Sequence, residues 1–253
     1  MEQITSRKNP LAVHLKKLGA VREYRAQRRE FLCDGVKLLR EAIDSGASIT
    51  AVLSATDALP ELPGGVPVYF AAQDILDAVS PLKNAQDVLF SCKMQDGAVQ
   101  PDMTGSHILL DGIQDPGNAG TIIRTAVAFG IKSVILTEGC ADVYNPKTVR
   151  ASMGAIFKQR VAVMTLRDVA GMKQSGVRLL GAALGDGCRS ILDSDIKNAV
   201  IAIGSEGSGL SAEILALCDA LITIPMAPEC ESLNAAVAAA IIMWELGGHS
   251  AAL

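Results

Sequence analysis

Five polar side chains stand in loops of the kind that carry chemistry: Asn118 and Arg124, then Glu206, then Ser232 and Asn234. The first pair lies in LLDGIQDPGNAGTIIRTAVAFG at 109–130, where an apolar run ends at Asp111 and a Gly/Pro loop precedes a helix expected from about Ala119. Asn118 stands at that expected start, and Asn caps helices well. Arg124, six residues on, points to a different side of the helix than the cap. A helix N-terminus with an Arg beside it can grip a phosphate. A capped helix with an ordinary surface Arg is the plainer reading.

Glu206 sits in VIAIGSEGSGLS at 200–211, between an expected strand and an expected helix. The glycines at 204, 207 and 209 do not have G-x-G-x-x-G spacing, and the P-loop Lys is missing. Neither dinucleotide nor triphosphate binding is supported. The loop offers close backbone approach and one carboxylate, or simply a tight connecting turn. Ser232 and Asn234 follow Pro225 and Pro228 and open a nearly all-apolar helix at 233–246, with Ser232 a candidate N-cap. Neither Ser232 nor Ser205 sits in a G-x-S-x-G elbow, which argues against hydrolysis.

These loops need a frame, and the order of elements supplies one. From 107 onward, strand-like runs at 107–110, 133–137, 161–163, 178–184, 199–203 and 221–224 alternate with helical patterns at 119–129, 166–173, 211–217 and 233–246. Short apolar strands separated by helices indicate a parallel sheet covered on both faces, with ligands beyond the carboxyl ends of its strands. Residues 1–97 read as a smaller α/β unit, with helices at 10–18, 22–29, 36–43 and 73–79 and strands at 31–32, 49–53, 66–70 and 88–92. A polar linker is expected at 98–106, and the second domain at 107–253.

The chain has 253 residues, 49% of them hydrophobic, enough for a substantial core and too apolar for disorder. No apolar run reaches the roughly 18 residues of a membrane span, and MEQITSRKNP lacks the core of a signal peptide, so a cytoplasmic protein is expected. Six dispersed cysteines (33, 92, 140, 188, 218, 230) and three separated histidines (14, 107, 249) give no metal spacing; no metal is expected, and the thiols read as buried or idle. The net charge of −4 hides an asymmetry: residues 1–40 hold ten Lys/Arg against four acids, a net of +6, and the rest nets −10. Such a head suits a phosphate-rich partner, although a solvated helical face explains it equally well.

Taken in order, the three loops resemble the SpoU/TrmH family of RNA ribose 2′-O-methyltransferases. The resemblance rests on N-x-G-x-I-x-R-T (Asn118, Gly120, Ile122, Arg124, Thr125), G-x-E-G-x-G (Gly204, Glu206, Gly207, Gly209) and I-P-M followed by S-L-N (Ile224, Pro225, Met226; Ser232, Leu233, Asn234), and covers about 108–247. S-R-K-N-P and F-L-C-D-G-V-K-L-L in the N-terminal region look like the family's RNA substrate-binding domain, an α/β fold similar to a ribosomal protein. Asp87 stands where related chains usually have Gly.

The resemblance implies a SPOUT-type parallel sheet with a deep trefoil knot, a homodimer, and S-adenosylmethionine as methyl donor to a ribose 2′-hydroxyl. Gly204, Ile224 and Leu233 would touch the cofactor, with Met226 and Ala183 nearby. Arg124 would be the catalytic residue, Asn118 would orient it or the ribose, Glu206 would hold that group or the substrate, and Ser232 and Asn234 would complete the site. A guanidinium is almost never deprotonated, so a phosphate clamp is preferred to a base for Arg124. The N-terminal domain favours rRNA of the 23S type over tRNA. A non-catalytic RNA-binding protein of the same fold would be expected to lose Asn118, Arg124, Glu206 or Asn234, and all four are present.

Overall fold

The computed structural model describes residues 2–83, 85–95 and 104–247. Residues 98–103 of the expected linker, and His249, lie outside them. In chain order the elements are β1 (Glu2–Ile4), α1 (Pro10–Ala20), α2 (Arg22–Arg28), β2 (Glu30–Asp34), α3 (Val36–Asp44), β3 (Ile49–Ser54), β4 (Val68–Ala71), α4 (Gln73–Val79) and β5 (Val88–Lys93). There follow β6 (His107–Asp111), α5 (Pro116–Ala128), β7 (Ser133–Thr137), α6 (Pro146–Ala151), β8 (Arg160–Met164), α7 (Leu166–Gln174), β9 (Leu179–Ala182) and β10 (Arg189–Ser190). The last are β11 (Val200–Gly204), α8 (Ala212–Leu217), β12 (Ala220–Thr223) and α9 (Ala235–Leu246).

These form two compact units. The first takes its residues from Met1–Asp96 and, from far along the chain, Asp142–Lys158; the second takes the remainder. In the first unit the strand order is β1-β4-β3-β5-β2, with β5 antiparallel to both β2 and β3. Leu15, Leu18, Leu32, Leu53, Leu76 and Leu89 fill the space between its helices and sheet. Asn9 caps α1, its Oδ1 accepting from the Leu11 amide at 2.9 Å, and Pro10 supplies the preset first turn. Asp87 keeps a negative φ, so its turn does not need a glycine; its carbonyl accepts from the Ala55 amide at 2.8 Å.

Asp142–Lys158 is held in this unit by specific contacts. Arg25, only 3% exposed, donates to Asp142 at 2.6 Å and to the Leu18 carbonyl at 2.7 Å. Phe31 packs against Tyr144 and Phe157, and α6 lies on β2. Arg25 therefore belongs to the fold, although its charge counted towards the basic head. Lys8, Lys16, Arg22, Arg28, Lys37 and Arg40 are exposed and make no ion pair among the described residues.

The second unit is the expected all-parallel sheet, seven strands in the order β10-β12-β9-β11-β6-β7-β8. The helix expected at 233–246 is α9, which packs on α5 and β11 and buries Ala235, Ala236, Ala239, Ile242, Met243 and Leu246. One face stays open, with Val237 and Trp244 about half exposed. All six cysteines are free thiols. Burial pushes those of Cys33 and Cys140 up, and that of Cys218 to about 11, so all three are neutral at physiological pH. Among the described residues no helix is long and apolar enough to cross a membrane, and no group of three His, Cys, Asp or Glu could hold a metal.

Candidate active site

Helix α5 starts earlier than the sequence suggests. Asp115, not Asn118, is its N-cap: the Asp115 Oδ1 accepts from the Asn118 amide at 2.7 Å, and Pro116 begins the first turn. The difference matters, because Asn118 need not cap its own helix and its side chain can reach across. Its Nδ2 donates to Glu206 Oε1 at 2.6 Å, a contact spanning 88 residues.

The start of α9 shifts in the same way. Ser232 is not the cap; Asn234 is, with Oδ1 accepting from the amides of Ala236 at 2.9 Å and Val237 at 3.3 Å. The other end of that amide donates to Glu206 Oε1 at 2.8 Å and to Asn118 Oδ1 at 3.2 Å. The Ala235 amide also donates to Glu206 Oε1, at 3.3 Å. One carboxylate oxygen thus joins the starts of α5 and α9, while Oε2 makes no hydrogen bond among the described residues.

Glu206 is presented by a closed loop after β11. Ser205 and Gly209 exchange backbone hydrogen bonds of 3.1 and 2.9 Å, and Gly209 has φ +67°. A Cβ at Gly204 would fall on the backbone carbonyl of Gly209. Glycine at 204 is therefore required by the loop itself, before any ligand is considered. We predict that Gly204→Ala pushes this loop outward and weakens cofactor binding at least about tenfold, since the strain cannot be relieved by moving a side chain. Calorimetric titration with S-adenosylhomocysteine checks this, and unchanged affinity would refute it.

Beside the loop, at the carboxyl ends of β9, β11 and β12, lies a cavity of about 520 Å³. That is within the roughly 300–1,000 Å³ usual for small-molecule sites. Ala183, Gly204, Ile224, Met226 and Leu233, the five expected cofactor residues, all line it, and so do Glu206 and Ser232. The wall is largely aliphatic with some backbone polar groups, a lining suited to an adenosine whose edges are read by main chain.

Arg124 is not part of this constellation. It is exposed on α5, does not line the cavity, and its side chain makes no hydrogen bond among the described residues. Of the two groups that Asn118 is expected to orient, Arg124 or the ribose, Arg124 makes no hydrogen bond to it among the described residues; Asn118 bonds to Glu206 and Asn234. Sequence reading also passed over Asp111. Only 6% exposed at the end of β6, it accepts from the Ser211 amide at 2.7 Å and from Thr137 Oγ1 at 2.9 Å, fixing the chain just after the glycine loop. The Asp115-Pro116 pair was a legible helix-start signal for the true cap.

A cavity of small-molecule size with a polar cluster beside it is compatible with a group-transfer enzyme. Residues 105–244 match the model of the SpoU rRNA Methylase family, and residues 9–89 match the MRM3-like substrate binding domain. The chain belongs to the SpoU rRNA methylase family. It is 34% identical over 251 residues, 98% of this chain and 100% of the relative, to the 23S rRNA (guanosine(2553)-2′-O)-methyltransferase RlmP of Bacillus subtilis. An AdoMet-bound rRNA methyltransferase from Sinorhizobium meliloti superposes with a TM-score of 0.85 at 28% identity over 97% of each chain. The methyltransferase AviRb of Streptomyces viridochromogenes, in complex with AdoMet, gives 0.81 at 28% identity over 95% of this chain and 97% of that one.

Proposed function

We propose that this enzyme transfers a methyl group from S-adenosylmethionine to a ribose 2′-hydroxyl of rRNA, with 23S-type rRNA favoured over tRNA. The observation that carries this reading is the convergence of Asn118, Glu206 and Asn234 at the rim of a cavity lined by all five expected cofactor residues. The full-length similarity to RlmP, including the substrate-binding domain, supports rRNA. A cytoplasmic location follows from such a substrate.

When bound, S-adenosylmethionine supplies an electrophilic methyl group. The aliphatic wall around Ile224 and Leu233 excludes water and fixes the adenosine, so the acceptor meets the methyl in one orientation. Asn234 and Glu206 hold Asn118 in place, and the second N–H of the Asn118 amide is left for the acceptor ribose. Arg124 would grip the adjacent phosphate with its fork and stabilise negative charge growing on the attacking oxygen as the hydroxyl proton leaves to solvent. A trefoil knot is part of the proposal, as the family resemblance implies. So is a homodimer, supported by the open apolar face of α9.

S-adenosylhomocysteine should raise the melting temperature, because a ligand of the native state stabilises it. Loss of one ribose methylation in total RNA from a deletion strain would identify the target. No shift and no lost methylation would leave a non-catalytic RNA-binding protein.

RNA affinity is assigned to the N-terminal unit. Lys16, Arg22 and Arg28, exposed and without an ion pair among the described residues, are candidate phosphate contacts. Replacing all three with Ala should weaken RNA binding and flatten its dependence on salt, by about 0.9 in the log–log slope for each lost duplex contact. Cofactor affinity should not change. An unaltered slope in filter binding would rule these residues out. Truncation is the poorer test, because removing the N-terminal chain would uncover Val143, Val149, Ala155 and Ile156, which are buried in the first unit.

A further inference from the structure

Among the described residues the cavity wall contains two carboxylates, Glu206 and Glu231, and no Lys, Arg or His. Glu206 is held by three donors at the starts of α5 and α9. Glu231 is exposed at the rim, and its side chain makes no ion pair or hydrogen bond among the described residues. A solvated carboxylate at the rim of a pocket is free to accept from a cationic ligand, and the ligand argued to bind there carries positive charge. S-adenosylmethionine has two positive centres, a sulfonium and an α-ammonium, against one carboxylate.

The two cationic centres make different demands. The sulfonium would have to face the acceptor, on the side of the cavity that Glu206 lines. The α-ammonium is at the far end of a flexible chain and can reach the open rim, where Glu231 stands. Only the ammonium has N–H groups to donate, so only it can make a charge-assisted hydrogen bond to a carboxylate.

We propose that Glu231 is a cofactor-positioning residue that accepts from the α-ammonium of S-adenosylmethionine. This rests on the reading of the cavity as the cofactor site. Anchoring that end fixes the rotation of the chain on which the sulfonium is carried, and so the direction in which the methyl faces the ribose. The same contact serves the demethylated product, which keeps the ammonium, so Glu231 supplies affinity for donor and product alike.

The test is calorimetric titration of the full-length protein and of Glu231→Gln with three ligands. Gln keeps the shape and removes the charge. S-adenosylmethionine and S-adenosylhomocysteine should each bind about tenfold more weakly to the variant, the low end for a hydrogen bond to a charged group. 5′-Methylthioadenosine, which has the adenosine and thioether but no amino-acid end, should bind both proteins equally. Glu231→Asp should recover part of the loss.

Equal weakening of all three ligands would mean a damaged loop and overturn the proposal. Weakening confined to S-adenosylmethionine would move Glu231 to the sulfonium and overturn it too, as would no change at all. Failure of the underlying reading is separately visible: the unsubstituted protein would bind none of the three, or Gly204→Ala would leave all affinities intact.

Discussion

Arg124→Ala is expected to lower the methyl-transfer rate by at least about 10²–10³-fold, the usual cost of removing a donor that stabilises charge in a transition state. Affinity for S-adenosylhomocysteine should stay within about twofold. The split follows from position: Arg124 is exposed on α5, outside the cavity wall, and holds no part of the fold by a side-chain hydrogen bond among the described residues. Surface substitutions of that kind usually change stability by no more than about 0.5 kcal/mol. Arg124→Lys should recover little, because an ammonium cannot reproduce a planar fork. Single-turnover kinetics together with calorimetry on the same folded variant decide the matter. Parallel loss of cofactor affinity would move Arg124 into the cofactor site, and an unchanged rate would remove it from the reaction.

The contrast between Arg124 and Asn118 also shows where sequence reading stopped. Apolar runs such as Ser133–Thr137 and Val200–Gly204 announced the parallel sheet, because buried strands have little alternative composition. The start of α5 was misplaced because Asp115 and Asn118 are both good caps, and the 3.6-residue pattern does not choose between them. Capping alone does not decide the matter, since Asn234 caps α9 with its oxygen and still donates to Glu206 with its nitrogen. The Glu206 contacts to Asn118 and Asn234 span 88 and 28 residues, and no local rule reaches that far. Family resemblance, not spacing, named the five site residues together, and among the described residues Arg124 has no hydrogen bond to the other four.

Short or inserted elements were lost for a different reason. β10 has two residues and β1 three, too few to show a period. Asn145-Pro146 is a sound cap-and-proline start for α6, yet the helix has only six residues and its partners lie in the first unit. Nothing local says that Asp142 will pair with Arg25, which is 117 residues away.

The second large effect concerns α9, where two substitutions should separate folding from assembly. Ala239 is fully buried within its own chain, so Ala239→Glu places an unpaired carboxylate in a packed interior at a cost of several kcal/mol. That variant should misfold or aggregate, and it says nothing about a dimer. Trp244 is 50% exposed and meets Phe129 edge-on at 5.7 Å between ring centroids. Within one chain, Trp244→Glu loses that ring pair, about 0.5–1.5 kcal/mol, and adds an anion near a helix C-terminus, about 0.3–1 kcal/mol. The fold should survive. In a dimer packed through this face, the same carboxylate would be buried against the partner, and the assembly should dissociate. Position 244 is ten residues from Asn234, about 15 Å along the helix, so the new charge does not act directly on the polar cluster. Methyl transfer should nevertheless fall with dissociation, because the helix carrying the interface begins at the site. Light scattering, circular dichroism and the transfer assay on the two variants test the chain of reasoning. A folded Trp244→Glu protein that stays dimeric and active would exclude this face as the interface, and a folded monomer with full activity would show that each chain catalyses alone.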